Sequence, residues 1–159
     1  SMTLYENTGE ATLAGFEGSL RFDVGALFQW NFELAPYTSF TWLTEYEDEE
    51  TDEDLLYTPD WTASYGLWFA HWDADFTARL NVAYVGEQDI NDYAGTGDDT
   101  LPAHTVADLT LSKGLLAGDS GAGLFLEAEI RNLFEERYEV IQGYPMPGRS
   151  FYTGLKYRF

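Results

Sequence analysis

"GYPMPGRSFYTGLKYRF" closes the sequence at residues 143–159. The stretch divides at Ser150. Before it, Pro145 and Pro147 each fix their own φ, which suits a stiff connection. After it, Phe151, Thr153, Leu155, Tyr157 and Phe159 alternate with Tyr152, Gly154, Lys156 and Arg158. A period of two is the mark of a strand with two unlike faces. Here one face is aromatic and aliphatic, and the other carries two cations. A soluble sheet buries the apolar face in a core, whereas a membrane barrel turns it to lipid.

The same alternation runs upstream. Thr12, Ala14, Phe16, Gly18, Leu20 and Phe22 share one face, opposite Glu17, Ser19 and Arg21. Phe28, Trp30, Phe32, Leu34, Phe40 and Trp42 form the next stripe, followed by Trp61, Ala63, Tyr65, Leu67 and Phe69. Further stripes are Ala74 to Tyr84, Ala107 to Leu111 and Leu124 to Ile130, taking every second residue. The pattern predicts seven long strands, with a short eighth over residues 3–6. Short connections are expected at 23–25, 70–73 and 117–121, and long ones at 45–56, 86–101 and 134–147. The expected fold is all-β: an antiparallel, up-and-down transmembrane β-barrel segment with short periplasmic turns and long outer loops. The strands exceed the usual globular length, and Trp30, Trp42, Trp61, Tyr84, Tyr157 and Phe159 crowd strand ends as interfacial girdles do.

Composition agrees. Aromatics reach 17%, with 11 Tyr, 11 Phe and 5 Trp, and such side chains need large apolar surroundings. The charge is −20, from 28 acids against 8 bases, which argues against nucleic acid as a partner. There is no cysteine, so neither a disulfide nor a thiolate metal site can form. No run approaches the roughly 18 apolar residues of a membrane helix. Ser1 and Met2 read as a cloning remnant or a start, leaving 3–159 as one barrel segment.

The closing residues carry a resemblance. Asn132, Leu133, Phe134, Tyr138, Gly143, Tyr144, Pro145, Pro147, Gly148 and Arg149, followed by Tyr157-Arg158-Phe159, resemble the end of TonB-dependent outer-membrane receptors. Asn7 with Gly15-Phe16-Glu17, then Tyr57 and Pro59, are similar to upstream features of that family. The resemblance implies the last third of a 22-strand barrel, whose plug, TonB-contacting box and first strands lie outside this sequence. It implies a bacterial outer-membrane location, contact with lipid, and a small chelate such as a ferric siderophore, haem or cobalamin as cargo. TonB would be met only through the N-terminal parts. The last strand resembles the signal read by the barrel-assembly machinery, at Gly154, Tyr157 and Phe159. The orientation implied puts 135–147, 87–101 and 47–56 outside.

Other signals are weaker. Glu45, Glu47, Asp48, Glu49, Glu50, Asp52, Glu53 and Asp54 read first as a solvated loop, since like charges repel. Asp89, Asn91, Asp92, Asp98 and Asp99 make a better candidate for calcium, whose ligands are oxygens. His71 and His104 lack partners at metal-ligand spacing. No nucleophile triad, zinc motif or phosphate loop is present, and Glu127, Glu129 and Arg131 read as wet-face residues that meet neighbours across the sheet, such as Asp108 or Lys156. An enzyme is not expected. Seven strands leave two raw edges, so edge-to-edge association of copies is one route to closure. Two rivals stand: a complete small outer-membrane barrel with a structural or adhesive role, and a soluble barrel holding a hydrophobic ligand.

Overall fold

The computed structural model describes residues 10–49, 53–92, 95, 97, 99–117 and 123–159. The predicted strand over 3–6 lies outside them. Seven strands form one antiparallel meander: β1 (Ala11–Arg21), β2 (Glu33–Asp48), β4 (Trp61–His71), β5 (Phe76–Val85), β8 (His104–Ala117), β9 (Gly123–Arg131) and β12 (Ser150–Arg158). Among the described residues each of the seven pairs with its neighbours in this order, so β1 and β12 are edges and the sheet is open. A short β3 (Glu53–Asp54) extends β2, pairing with Glu47 and Asp48. Two small hairpins stand on the long connections. They are β6 (Gln88–Asp89) with β7 (Thr100–Leu101), and β10 (Glu139–Ile141) with β11 (Tyr144–Pro145).

The register carries each strand's alternation across the whole sheet. Phe16 faces Trp42, and Trp42 faces Trp61. Leu67 faces Leu80, Leu80 faces Leu109, Leu109 faces Ile130, and Ile130 faces Phe151. The opposite surface is polar in the same way: Ser39 faces Ser64, Asn81 faces Asp108, and Thr110 faces Glu129. A slip of one residue would invert a strand, so this sidedness fixes the pairing. Thr44 is the one extra residue between β1 and β2, and its hydroxyl bonds to the Ala14 carbonyl at 3.3 Å.

The sheet has almost no core. Among the described residues the buried apolar side chains are Ala35, Ala70, Ile90, Leu101 and Ala107, and no large side chain is fully buried. Phe16, Leu20, Phe151, Leu155 and Tyr157 stand open on the apolar face. A water-soluble sheet of this size would cover that face.

Three expectations need correction. The aromatic run Phe28, Trp30 and Phe32 is not strand, and the connection at 23–25 is not a tight turn. Eleven residues, 22–32, link β1 to β2 through α1 (Val24–Leu27). Asp23 caps this helix, its carboxylate accepting from Ala26 N at 3.0 Å, and Gln29 turns the chain at φ 56°. Gly25 is required by space, because a Cβ there would lie 2.2 Å from the Phe32 carbonyl oxygen. Second, β4 runs on to His71. The turn lies at 72–75, where the His71 imidazole accepts from Ala74 N and Asp75 adopts φ 48°. Third, the acidic run is not all loop. Glu45 to Asp48 belong to β2, while residues 50–52 lie outside the described part. Backbone pairing with β1 and β3 holds Glu47 and Asp48 in strand although Asp54 and Glu53 stand opposite them.

Candidate functional site

All three long connections leave the same end of the sheet, opposite the links at 22–32 and 72–75. That end is strongly anionic. Residues 44–60 hold nine acids and 86–103 hold five, with no Lys or Arg in either stretch. The two meet in space: the Tyr46 phenol, on the part of β2 beyond the Trp42 belt, is held above its ordinary pKa. Partial burial is the first cause, followed by the carboxylates of Asp54, Asp60 and Asp89. Tyr57 N also donates to the Asp89 carbonyl at 2.8 Å.

The third connection is built on Asn132, which is 3% exposed and left-handed at φ 51°. Its backbone N–H donates to Asp108 Oδ1 at 2.9 Å. Its Oδ1 accepts from Glu136 N at 2.8 Å, and its Nδ2 donates to the carbonyls of Glu136 at 2.8 Å and Pro147 at 3.3 Å. One side chain therefore ties the exit of β9 to the start of β12. Leu133 N donates to the Ala107 carbonyl at 2.7 Å, and the Tyr138 ring stacks on His104 at 4.4 Å. Gly143 turns the small hairpin at φ 79°, its N–H donating to Glu139 Oε2 at 2.7 Å. Arg149 reaches Glu135 at 3.5 Å. Phe134 and Tyr144 are exposed. An open cavity of about 510 Å3 lies beneath, lined by Leu101, Pro102, Tyr138, Pro145 and Met146 among others. Within the ten-residue motif, Asn132 thus clamps the connection between β9 and β12.

Of the candidate calcium residues, Asp89, Asn91, Asp92 and Asp99 are among the described residues. Among the described residues no group of three or more His, Cys, Asp or Glu is arranged to hold a metal ion. Asp92 is engaged within the loops, its carboxylate accepting from Gly97 N at 2.7 Å and Gln142 Nε2 at 3.2 Å. Asp99 contributes its carbonyl to Ile90 N at 2.8 Å, and Asp98 lies outside the described residues.

The polar face holds paired charges. Lys156 meets Glu127 across the sheet at 3.2 Å, whereas Arg131 meets Glu129 along its own strand at 2.7 Å. Asp108 serves the Asn132 backbone instead. Near the opposite end, Arg21 pairs with Glu33 at 2.5 Å, and Arg79 lies over the Tyr37 ring at 5.2 Å. The Tyr37 hydroxyl accepts from Arg79 Nε at 3.2 Å and sits 3.1 Å from both the Leu80 carbonyl and Asn81 Oδ1. Gly66 makes room for it, since a Cβ there would lie 2.5 Å from that hydroxyl. These partners are 29 to 44 residues apart, and no local signal announces them. On β12 the residues of the candidate assembly signal stand open: Tyr157 and Phe159 stack at 6.4 Å, and nothing lies within 4 Å of a Cβ built on Gly154.

An up-and-down meander with one continuous apolar surface, one polar surface and its three longest connections at one end is a segment of a transmembrane β-barrel. The comparisons give the family. The model described as "TonB dependent receptor-like, beta-barrel" matches residues 1–133, and the chain belongs to that family. A protein of Acinetobacter baumannii named "Probable TonB-dependent siderophore receptor PirA" is 27% identical over 174 residues, covering 98% of this chain and 22% of the relative. The "Ferric enterobactin receptor" of Pseudomonas aeruginosa is 28% identical over 173 residues, with the same coverages. The chain thus spans about a fifth of the length of these curated relatives.

Proposed function

We propose that this chain is the C-terminal wall and outer rim of an outer-membrane receptor that imports a ferric siderophore with energy supplied through TonB. The observation that carries the reading is the sidedness of the seven-strand sheet, which puts Leu67, Leu80, Leu109, Ile130 and Phe151 on one surface and paired charges on the other. That surface suits lipid, and the two open edges suit further strands of a larger barrel. The names of the relatives favour a siderophore over haem or cobalamin. In this reading the clamped loop at 132–149 and the acidic connections form part of the outer vestibule, and β12 carries the assembly signal.

The test is uptake. A bacterium lacking its own copy of the receptor is supplied with the intact gene or with one in which residues 132–149 are shortened. Accumulation of radioactive iron is then followed from a panel of ferric siderophores, haem and cyanocobalamin. Siderophore-dependent uptake lost with the shortened loop supports the reading. Uptake of haem or cobalamin alone assigns a different cargo, and no uptake of any chelate by the intact protein rejects an import role.

A further inference from the structure

The link at 22–32 stands in place of the short turn expected at 23–25, and its composition is unusual for a connection. Phe22, Val24, Leu27, Phe28, Trp30 and Phe32 lie within eleven residues, and the single charge, Asp23, is spent on capping α1. Leu27 and Phe28 are 61% and 62% exposed, and Phe22 and Trp30 are also open. Polar connections need no such surface.

The rings are not scattered. Phe28 stacks on Trp30 at 5.6 Å, Trp30 meets Phe32 at 5.0 Å, Phe32 meets Phe69 at 5.4 Å, and Phe69 meets Phe76 at 6.0 Å. Phe69 shares the apolar face of the wall, on the same row as Leu34 and Ala78. The ladder therefore continues the wall's apolar surface past the ends of the strands. Trp72, on the adjacent turn, is exposed at the same end.

Depth agrees with this. The opposite belt is marked by Trp42 and Trp61, stacked at 5.8 Å. Ten residues separate Phe32 from Trp42, about 33 Å of strand, and a tilt of about 40° reduces that to roughly 25 Å along the membrane normal. That is the height of the apolar band of such barrels. Phe32 then sits at the band's lower edge, with Trp30 and Phe28 just beyond it, where headgroups meet acyl chains. Trp is suited to that boundary because its ring is apolar and its N–H is not.

We propose that residues 22–32 form a ledge lying in the headgroup boundary of the periplasmic leaflet, with phospholipid as its partner. The inference rests on the barrel reading above and adds to it a second, in-plane contact with the membrane. It commits to lipid because the ledge is continuous with the lipid-facing row and offers no free charge to a polar partner.

The chain contains no cysteine, so single nitroxide labels can be placed through Phe28→Cys, Leu67→Cys and Tyr144→Cys. Each labelled chain is reconstituted into dioleoylphosphatidylcholine vesicles. Relaxation by oxygen, which concentrates in lipid, is compared with relaxation by a water-soluble nickel chelate. The Phe28 label is expected to show an oxygen-to-nickel ratio between that of Leu67, at mid-wall, and that of Tyr144, on an outer hairpin. A Phe28 ratio equal to that of Tyr144 puts the ledge in water and overturns the proposal. A Phe28 label reached by neither reagent means a protein partner, which also overturns it. The Leu67 label separates the two readings: if it is oxygen-rich while Phe28 fails, the ledge falls and the membrane wall stands. If Leu67 is nickel-rich, both fall.

Discussion

Replacing Asn132 by alanine should free the connection at 132–149 without dissolving the wall. The side chain makes two hydrogen bonds of 2.8 Å to Glu136 and a longer one to Pro147. Each good bond contributes about 1 kcal/mol net. Alanine also tolerates the left-handed φ of 51° less well than asparagine, at about 1 kcal/mol. The sum is about 3 kcal/mol, borne by one connection. Because about 1.4 kcal/mol corresponds to a tenfold change, the Glu136 amide should exchange with deuterium up to two orders of magnitude faster. Asn132→Gly keeps the backbone conformation and loses only the side-chain bonds, so it should accelerate exchange about thirtyfold. The assay is hydrogen–deuterium exchange of the membrane-reconstituted protein, reading peptides from 132–149 against peptides from β4 and β5. Unchanged exchange at Glu136 in Asn132→Ala, or an equal rise in β4, would refute the clamp.

Three further outcomes are expected. Leu67→Lys, on the apolar face, should destabilise the wall by about 2–4 kcal/mol in denaturant titrations in lipid, whereas Thr110→Lys, opposite Glu129 on the polar face, should cost far less. Equal costs would contradict the assigned sidedness. Gly66→Ala should destabilise by about 1–3 kcal/mol, because its Cβ would lie 2.1 Å from the Leu80 carbonyl oxygen and displace Tyr37; an unchanged denaturation midpoint counts against that packing. Deleting Phe159, which is fully exposed at the end of β12, should lower the fraction of protein that reaches a protease-resistant form in cells. A normal yield would deny it a role in assembly.

Strand number and facing were legible because both follow from a period of two. Phe151, Leu155 and Tyr157 share a face by local geometry alone, and no tertiary contact is needed to place them. The link at 22–32 was misread for the same reason. Phe28, Trp30 and Phe32 alternate as strand residues do, and only the Asp23 cap, the close approach at Gly25 and the left-handed Gln29 keep them out of β2. The closing motif was recognisable as a string of residues. Its physical content, one buried asparagine holding two strand ends, depends on Glu136 and Pro147 being brought to it from 4 and 15 residues away.

What the sequence determined by itself was the two-faced strand pattern, the acidic end and the apolar stripe down to Phe159, because these are properties of composition and local periodicity. What only the tertiary structure decided was which distant residues meet. Tyr37 settles over Gly66 beside Arg79, His104 beneath Tyr138, and Asp92 between Gly97 and Gln142. Register is the physical reason. Once the apolar face fixes how neighbouring strands align, cross-strand partners follow from that alignment, and no stretch of a few residues contains it.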